Sequence, residues 1–234
     1  MCSHLVSLTF DDGFAKSAMD LADIFEEVGL RTSLNVIARG ADPDFPPPDE
    51  WHNAPRGSWE LWNELVAKGH EINPHGLDHS DPNKLPPGEA SRRVDKCIEI
   101  FLKNLKGFDQ MKTVFACPYN ALTPELETRL ASSFRAYRAG RNWVNPMPSQ
   151  ATKYVGCWSH GPDNSDSALD ALVNSFLESP GGWLVAAMHG LDKEGWGPLS
   201  AGYLRNLLGR LVKDKKVEVV GIAEALAKYG GRNN

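Results

Sequence analysis

The stretch His4-Leu5-Val6-Ser7-Leu8-Thr9-Phe10-Asp11-Asp12-Gly13 decides how the rest of the chain is read. Residues 4–10 are apolar or β-favouring and read as a strand, after which Asp and Gly favour a turn. Residues 15–28 then carry Met19, Leu21, Ala22, Ile24, Phe25 and Val28 at helical spacing, stopped by Gly29. Residues 32–37 are strand-like again. One strand, one helix and a second strand in so short a span point to parallel βα units.

Working outward, the alternation continues to the end of the chain. Further strands are expected at 71–72, 113–117, 134–139, 154–158, 183–188 and 217–220. Helices are expected from Ser58 through Lys68, at 87–105, after Pro124, at 166–179, at 200–213 and from 222. Residues 39–57 break the rhythm with Pro46-Pro47-Pro48, Trp51 and His52. A loop of that length inside a compact domain is usually functional or disordered. No repeat or linker interrupts residues 1–234, which read as a single α/β domain, either a barrel or an open sheet.

Composition narrows the classes. A length of 234 residues suits one large domain, since α/β barrels run to roughly 200–250 residues. A net charge of -5 leaves no basic footprint, which argues against nucleic acid and, weakly, against anionic membranes. No apolar run approaches the length of a membrane span. Met1-Cys2-Ser3-His4 lacks a basic segment followed by an apolar one, so a cytoplasmic protein is expected. Cys2, Cys97, Cys117 and Cys157 form no C-x-x-C and read as free thiols in a reducing compartment.

In a barrel, catalytic groups gather at the C-terminal ends of strands. Asp11, Asp12, His75, Pro118, Tyr119 and His189 all fall at such ends. One carboxylate with two imidazoles is the ligand set of a catalytic zinc-type site that keeps a position open for water. Each signal also has a plainer reading. Asp-Asp-Gly alone is usually a turn, and both carboxylates reach one site only if the chain turns there, which Gly13 permits. His75 and His79 have i, i+4 spacing, but Pro74 and Gly76 favour a loop over a helix. Asp78 and His70 are nearby alternatives, His70 fitting better as packing at a strand start. His189 alone reads equally well as a hydrogen-bonded histidine at the core edge. Cys117, beside Val114, Phe115 and Ala116 with no basic neighbour, fits a buried inert thiol better than a nucleophile. Most of the tryptophans belong to the core, although those in loops suit the walls of a sugar site.

Taken together, these residues resemble the polysaccharide deacetylase (NodB-homology) family, carbohydrate esterase family 4. Thr9-Phe10-Asp11-Asp12-Gly13 resembles the family's first motif, whose first Asp is the general base and second a metal ligand. Lys68 through His79 resembles the second, which supplies two His ligands. Phe115-Ala116-Cys117-Pro118-Tyr119-Asn120 resembles the third, which lines the groove and offers the backbone N–H after the proline, here that of Tyr119, to the oxyanion. Leu184 through His189 resembles the last, whose His is the general acid. Two departures stand out. Ala116 replaces an Arg that pairs with the base, leaving Arg138 or Arg141 to restore the charge. The Asp-Trp element that orients the acid is absent, with Trp158, His160 and Asp163 as candidates to fill part of its role.

The resemblance implies a distorted (β/α) barrel of about seven parallel strands. It implies one divalent metal on Asp12, His75 and His79, Zn2+ being the best suited and Co2+, Ni2+ or Fe2+ also fitting. Asp11, His189 and Tyr119 are then catalytic, while Pro118, Arg141 and Trp158 contact substrate. The implied reaction removes N-acetyl or O-acetyl groups from a carbohydrate. The alternatives are hydrolysis of a small non-sugar amide in a pocket closed by loop 39–57, a non-catalytic carbohydrate-binding relative, and a metal-free hydrolase built on Cys117. The oligomeric state is not legible.

Overall fold

The computed structural model describes residues 3–45, 53–140 and 144–231. Nine strands and seven α-helices follow one another along these residues. In chain order these are β1 (His4–Phe10), α1 (Ala15–Glu26), β2 (Ser33–Val36), α2 (Trp59–Ala67), β3 (Glu71–Pro74), α3 (Glu89–Asn104), β4 (Val114–Ala116) and α4 (Pro124–Ser133). There follow β5 (Ala136–Gly140), β6 (Val144–Asn145), β7 (Tyr154–Ser159), α5 (Ser165–Leu177), β8 (Gly182–Met188), α6 (Ala201–Leu211), β9 (Val217–Val219) and α7 (Ile222–Gly230).

Seven strands run parallel in the order β3-β2-β1-β8-β7-β5-β4 and form a nearly closed barrel. β1 lies between β2 and β8, in register with β8 from His4 opposite Gly182 to Phe10 opposite Met188. Its other edge is shared: β9 pairs with His4–Val6 and β2 with Thr9 and Phe10. Every residue of β1 is buried, as expected of a parallel strand covered on both faces. Side chains close the remaining seam between β3 and β4. There Asn73 Oδ1 accepts from the Val114 N–H at 3.3 Å, and the His75 ring meets the Ala116 carbonyl at 2.9 Å.

The strands read as expected, with one addition: β6, two residues antiparallel to β8 and too short to leave a pattern. Its Asn145 extends the pairing through its amide, which bonds both the Gly156 N–H and carbonyl. The helices also fall where expected. Ser58 caps α2 by accepting from the Leu61 N–H, and Gly29 in the left-handed region ends the turn after α1.

Alternation along the strands separates two cores. Val6, Leu8 and Phe10 face the helices, with Phe10 edge-on to Phe25 of α1. Leu5, Val114, Ala136, Val155, Trp183 and Val185 pack inside the barrel, over Ile222, Ala225 and Leu226 of α7. The inward phase turns polar toward the C-terminal ends of the strands, where it places Asp11, Asn35, His75, Arg138 and His189. All but the partly buried His189 are fully enclosed. Among the described residues, no helix is long and apolar enough to cross a membrane.

Candidate active site and metal centre

The strand phase that buries Leu5, Ser7 and Thr9 inward also aims Asp11 inward. Asp12 would point outward if the strand went on. Instead the backbone turns into the left-handed region at Asp12 (φ 72°) and again at Gly13 (φ 71°). The turn therefore begins one residue earlier than the glycine that marks it in the sequence, and it brings the second carboxylate to the same side as the first. Gly13 is required on two counts. Its φ suits glycine, and a Cβ there would lie 3.1 Å from both Trp62 and Val36 side chains.

Asp12, His75 and His79 each present one ligand atom within 4.8 Å of the others, and all three are buried. His79 Nε2 lies 3.4 Å from Asp12 Oδ1, and His75 Nε2 lies 3.7 Å from it. His75 Nδ1 donates to the Ala116 carbonyl, which leaves the Nε2 lone pair facing the cluster. That buried Nε2 has no hydrogen-bond partner among the described residues. Burial holds the His75 pKa below the usual imidazole value, against the pull of Asp11 and Asp12. The lowered pKa favours the neutral ring, in which the 3.7 Å contacts with carboxylates are not ion pairs. Two imidazoles and a carboxylate, with the buried Nε2 of His75 left over, fit a divalent metal.

Asp11 stands beside this cluster in a different role. Its Oδ1 accepts from Asn35 Nδ2 and its Oδ2 from Arg138 Nη2, each at 2.7 Å. Burial by itself would raise its pKa. Arg138 first, then His75, His189 and the Asn35 hydrogen bond, outweigh burial and hold the carboxyl below its ordinary value. Arg138 is fully enclosed and its pKa is raised, Asp11 overcoming the cost of burial. Of the two arginines proposed to replace the one missing at Ala116, Arg138 thus meets Asp11 directly. Arg141 lies outside the described residues, as do residues 46–52 of the long loop. The flanks of that loop are tied to both turns of the site. The Ala38 and Arg39 N–H groups donate to Gly76 and Leu77, and the Gly57 N–H donates to Gly13.

His189 follows β8 directly. Its Nδ1 is buried with no hydrogen-bond partner among the described residues, and Trp196 packs edge-on against its ring, 5.6 Å between centroids. Trp196 was not anticipated. Its loop folds back through a Leu191–Leu199 bridge, and Glu194 pins it by accepting from the N–H and hydroxyl of Ser17 in α1. Gly195 fits beneath His189, where a Cβ would come within 2.8 Å of the histidine Cβ. Trp158 instead stacks parallel on His160, whose ring bonds the Asp163 carbonyl.

Tyr119 adopts a left-handed conformation (φ 56°) after the buried Pro118, and its half-exposed ring lies 4.5 Å from that of His79. His70 is structural: it accepts from the Thr32 N–H and contacts Glu26. Burial pushes the Cys117 thiol up to about 12, which removes the thiolate a cysteine hydrolase needs. Asn35 escaped the sequence reading. Its signal was a polar residue in the same phase as Ser33, between Leu34 and Val36.

A family model for polysaccharide deacetylase matches residues 1–134. The YxkH protein of Bacillus subtilis (strain 168), named for that activity, is 24% identical over 175 residues, or 73% of this chain. The chain spans only 56% of the length of that relative. A Mycobacterium smegmatis protein named for the same family superposes with a TM-score of 0.71 at 17% identity, over 100% of this chain and 94% of its own. A family 4 acetyl xylan esterase from Clostridium thermocellum, solved with a cobalt ion, gives 0.62 at 15% identity, over 96% and 91%. Likeness at such identities concerns the fold, and the two solved structures share the barrel of this chain.

Proposed function

Because this chain belongs to the polysaccharide deacetylase family, we propose that it hydrolyses acetyl groups from a carbohydrate, N-acetyl or O-acetyl, with one divalent metal on Asp12, His75 and His79. The observation that carries this reading is the separation of two neighbouring carboxylates into two environments. Asp12 faces two histidines, whereas Asp11 is held by an arginine and an amide. The first environment suits a ligand and the second a base that stays ionised. Zn2+ is the expected metal, with Co2+, Ni2+ or Fe2+ able to serve. When bound, the metal polarises the acyl oxygen and lowers the pKa of a bound water.

The chain's own groups then divide the work. Asp11 accepts the proton of the water as its oxygen bonds to the acyl carbon. The Tyr119 N–H steadies the oxyanion, and one such donor is worth roughly 3–4 kcal/mol. His189 gives a proton to the departing nitrogen or oxygen as the bond to the acyl carbon breaks, leaving acetate and a free amine or hydroxyl. Pro118, Arg141 and Trp158 are proposed substrate contacts. Asp11 after β1, Arg138 from β5 and His189 after β8 belong to one site, which supports treating 1–234 as one catalytic domain.

Metal analysis of the purified protein, with acetate release from a panel of N-acetyl and O-acetyl sugars before and after chelation, tests the proposal. About one metal per chain is expected, with release that chelation stops and metal restores. Metal without acetate release would exclude the deacetylase reading, and absence of both would overturn the ligand assignment.

A further inference from the structure

The two histidines of the candidate metal centre are held in different ways. His75 follows β3 directly: its backbone N–H joins the ladder at Val36, and its ring is oriented by the Ala116 carbonyl. His79 lies four residues further out, beyond Gly76, in a left-handed conformation (φ 57°). That conformation is strained for a residue with a Cβ. The backbone bonds from Ala38 and Arg39 secure this loop at Gly76 and Leu77.

From Asp78 onward the loop is secured by side chains. The Asp78 carboxylate accepts from Ser80 Oγ at 2.7 Å and from Arg93 Nη1. Arg93 Nη1 also donates to Ser80 Oγ at 3.0 Å, closing a triangle that brackets His79 on both sides in sequence. Arg93 Nε donates to Glu89 Oε1, one turn earlier on α3, at 3.0 Å. The Arg93 and Asp78 side chains are only 28% and 23% exposed, so the pair is less screened than an open surface ion pair. α3 is a firm base for it, with Val94, Ile98 and Phe101 buried and Cys97 Sγ donating to the Gly76 carbonyl.

We propose that Arg93 is a positioning residue for the metal centre, acting from α3 through Asp78 and Ser80 to fix His79 in its ligating direction. The inference rests on the reading of Asp12, His75 and His79 as ligands. Outer partners that orient metal ligands typically contribute about 10–100-fold to metal affinity. Loss of this anchor frees the left-handed turn to relax and carries the His79 ring out of the cluster.

The test is Co2+ titration of the metal-free full chain, followed by visible absorption, for wild type, Arg93→Met, Arg93→Lys and Ser80→Ala. Arg93→Met is expected to weaken Co2+ binding about 10–100-fold and to change the absorption bands. Arg93→Lys, which keeps the charge but not the fork, is expected to recover part of the affinity. An Arg93→Met protein whose metal-free Tm falls while its Co2+ affinity stays at the wild-type value would overturn the proposal. If Arg93→Met does not fold, Ser80→Ala decides: weaker Co2+ binding supports the relay and unchanged binding overturns it. Wild type that takes up no Co2+ would instead remove the ligand reading beneath it.

Discussion

Arg138 Nη2 donates to Asp11 Oδ2 across 2.7 Å, joining residues 127 apart in the chain inside the barrel. Both side chains are buried, and the guanidinium holds the Asp11 pKa down against the effect of burial. We propose that Arg138, from the neighbouring strand β5, takes the place of the arginine that the family resemblance expects at Ala116. At the vacated position, Ala116 contributes its carbonyl to His75.

The sign of the pH dependence follows. A carboxyl whose folded pKa is depressed contributes stability above its unfolded pKa, about 3.9, and loses it as pH falls through the lower folded value. In Arg138→Met burial prevails, and the Asp11 pKa rises. The acid limb of the pH–rate profile is therefore expected to move to higher pH. Removing one partner of a buried pair should also cost about 3–5 kcal/mol, read from urea melts. An acid limb that stays in place would separate Arg138 from the ionisation of the base.

Asp11→Asn separates the two carboxylates. The amide keeps the shape but cannot take a proton, and its NH2 forfeits one of the two hydrogen bonds that the carboxylate accepts from Asn35 and Arg138, so acetate release should fall by about 10²–10⁴-fold. Metal content should remain near that of wild type, because Asp12 and not Asp11 is the assigned ligand. Asp12→Asn should reverse the pattern and lose the metal. Substantial turnover in Asp11→Asn would place the base elsewhere.

Much of this site was legible because its residues sit where local pattern and strand phase agree. Asp11, Asp12 and His189 follow apolar runs and His75 follows the short strand Glu71–Pro74, so their positions at strand ends needed no tertiary knowledge. Arg138 was named only together with Arg141, since choosing between them requires knowing that Arg138 continues the inward phase of Ala136. Asn35 belonged to a readable alternation but carried no motif. Trp196 could not be foreseen. Its contact with His189 arises when the loop folds back and Glu194 anchors it to Ser17, a purely tertiary event. The β3–β4 seam is equally invisible in sequence, because side chains rather than a strand ladder bridge it.

Gly13 tests the turn that gathers the carboxylates. Gly13→Ala introduces a Cβ at φ 71°, 3.1 Å from Trp62 and Val36. The left-handed conformation alone costs about 1–2 kcal/mol, and the contact adds to it. A lower Tm is expected together with weaker metal binding, since Asp12 moves with the turn. Loss of stability with metal affinity intact would show that the Asp12 carboxylate is placed independently of the glycine.

His189 tests the departure of the leaving group. A sugar amine is a poor leaving group and needs a proton as its bond to the acyl carbon breaks. An aryl acetate releases a phenolate that leaves without one. His189→Ala should therefore depress hydrolysis of an N-acetyl sugar by about 10²–10⁴-fold while sparing 4-nitrophenyl acetate to a far greater degree. Trp196→Ala, which removes the ring packed against His189, should show the same split in weaker form, because the imidazole remains but is less well aimed. Equal losses on both substrates in His189→Ala would argue that the histidine acts before the bond breaks, by holding substrate or supporting the charge of Asp11.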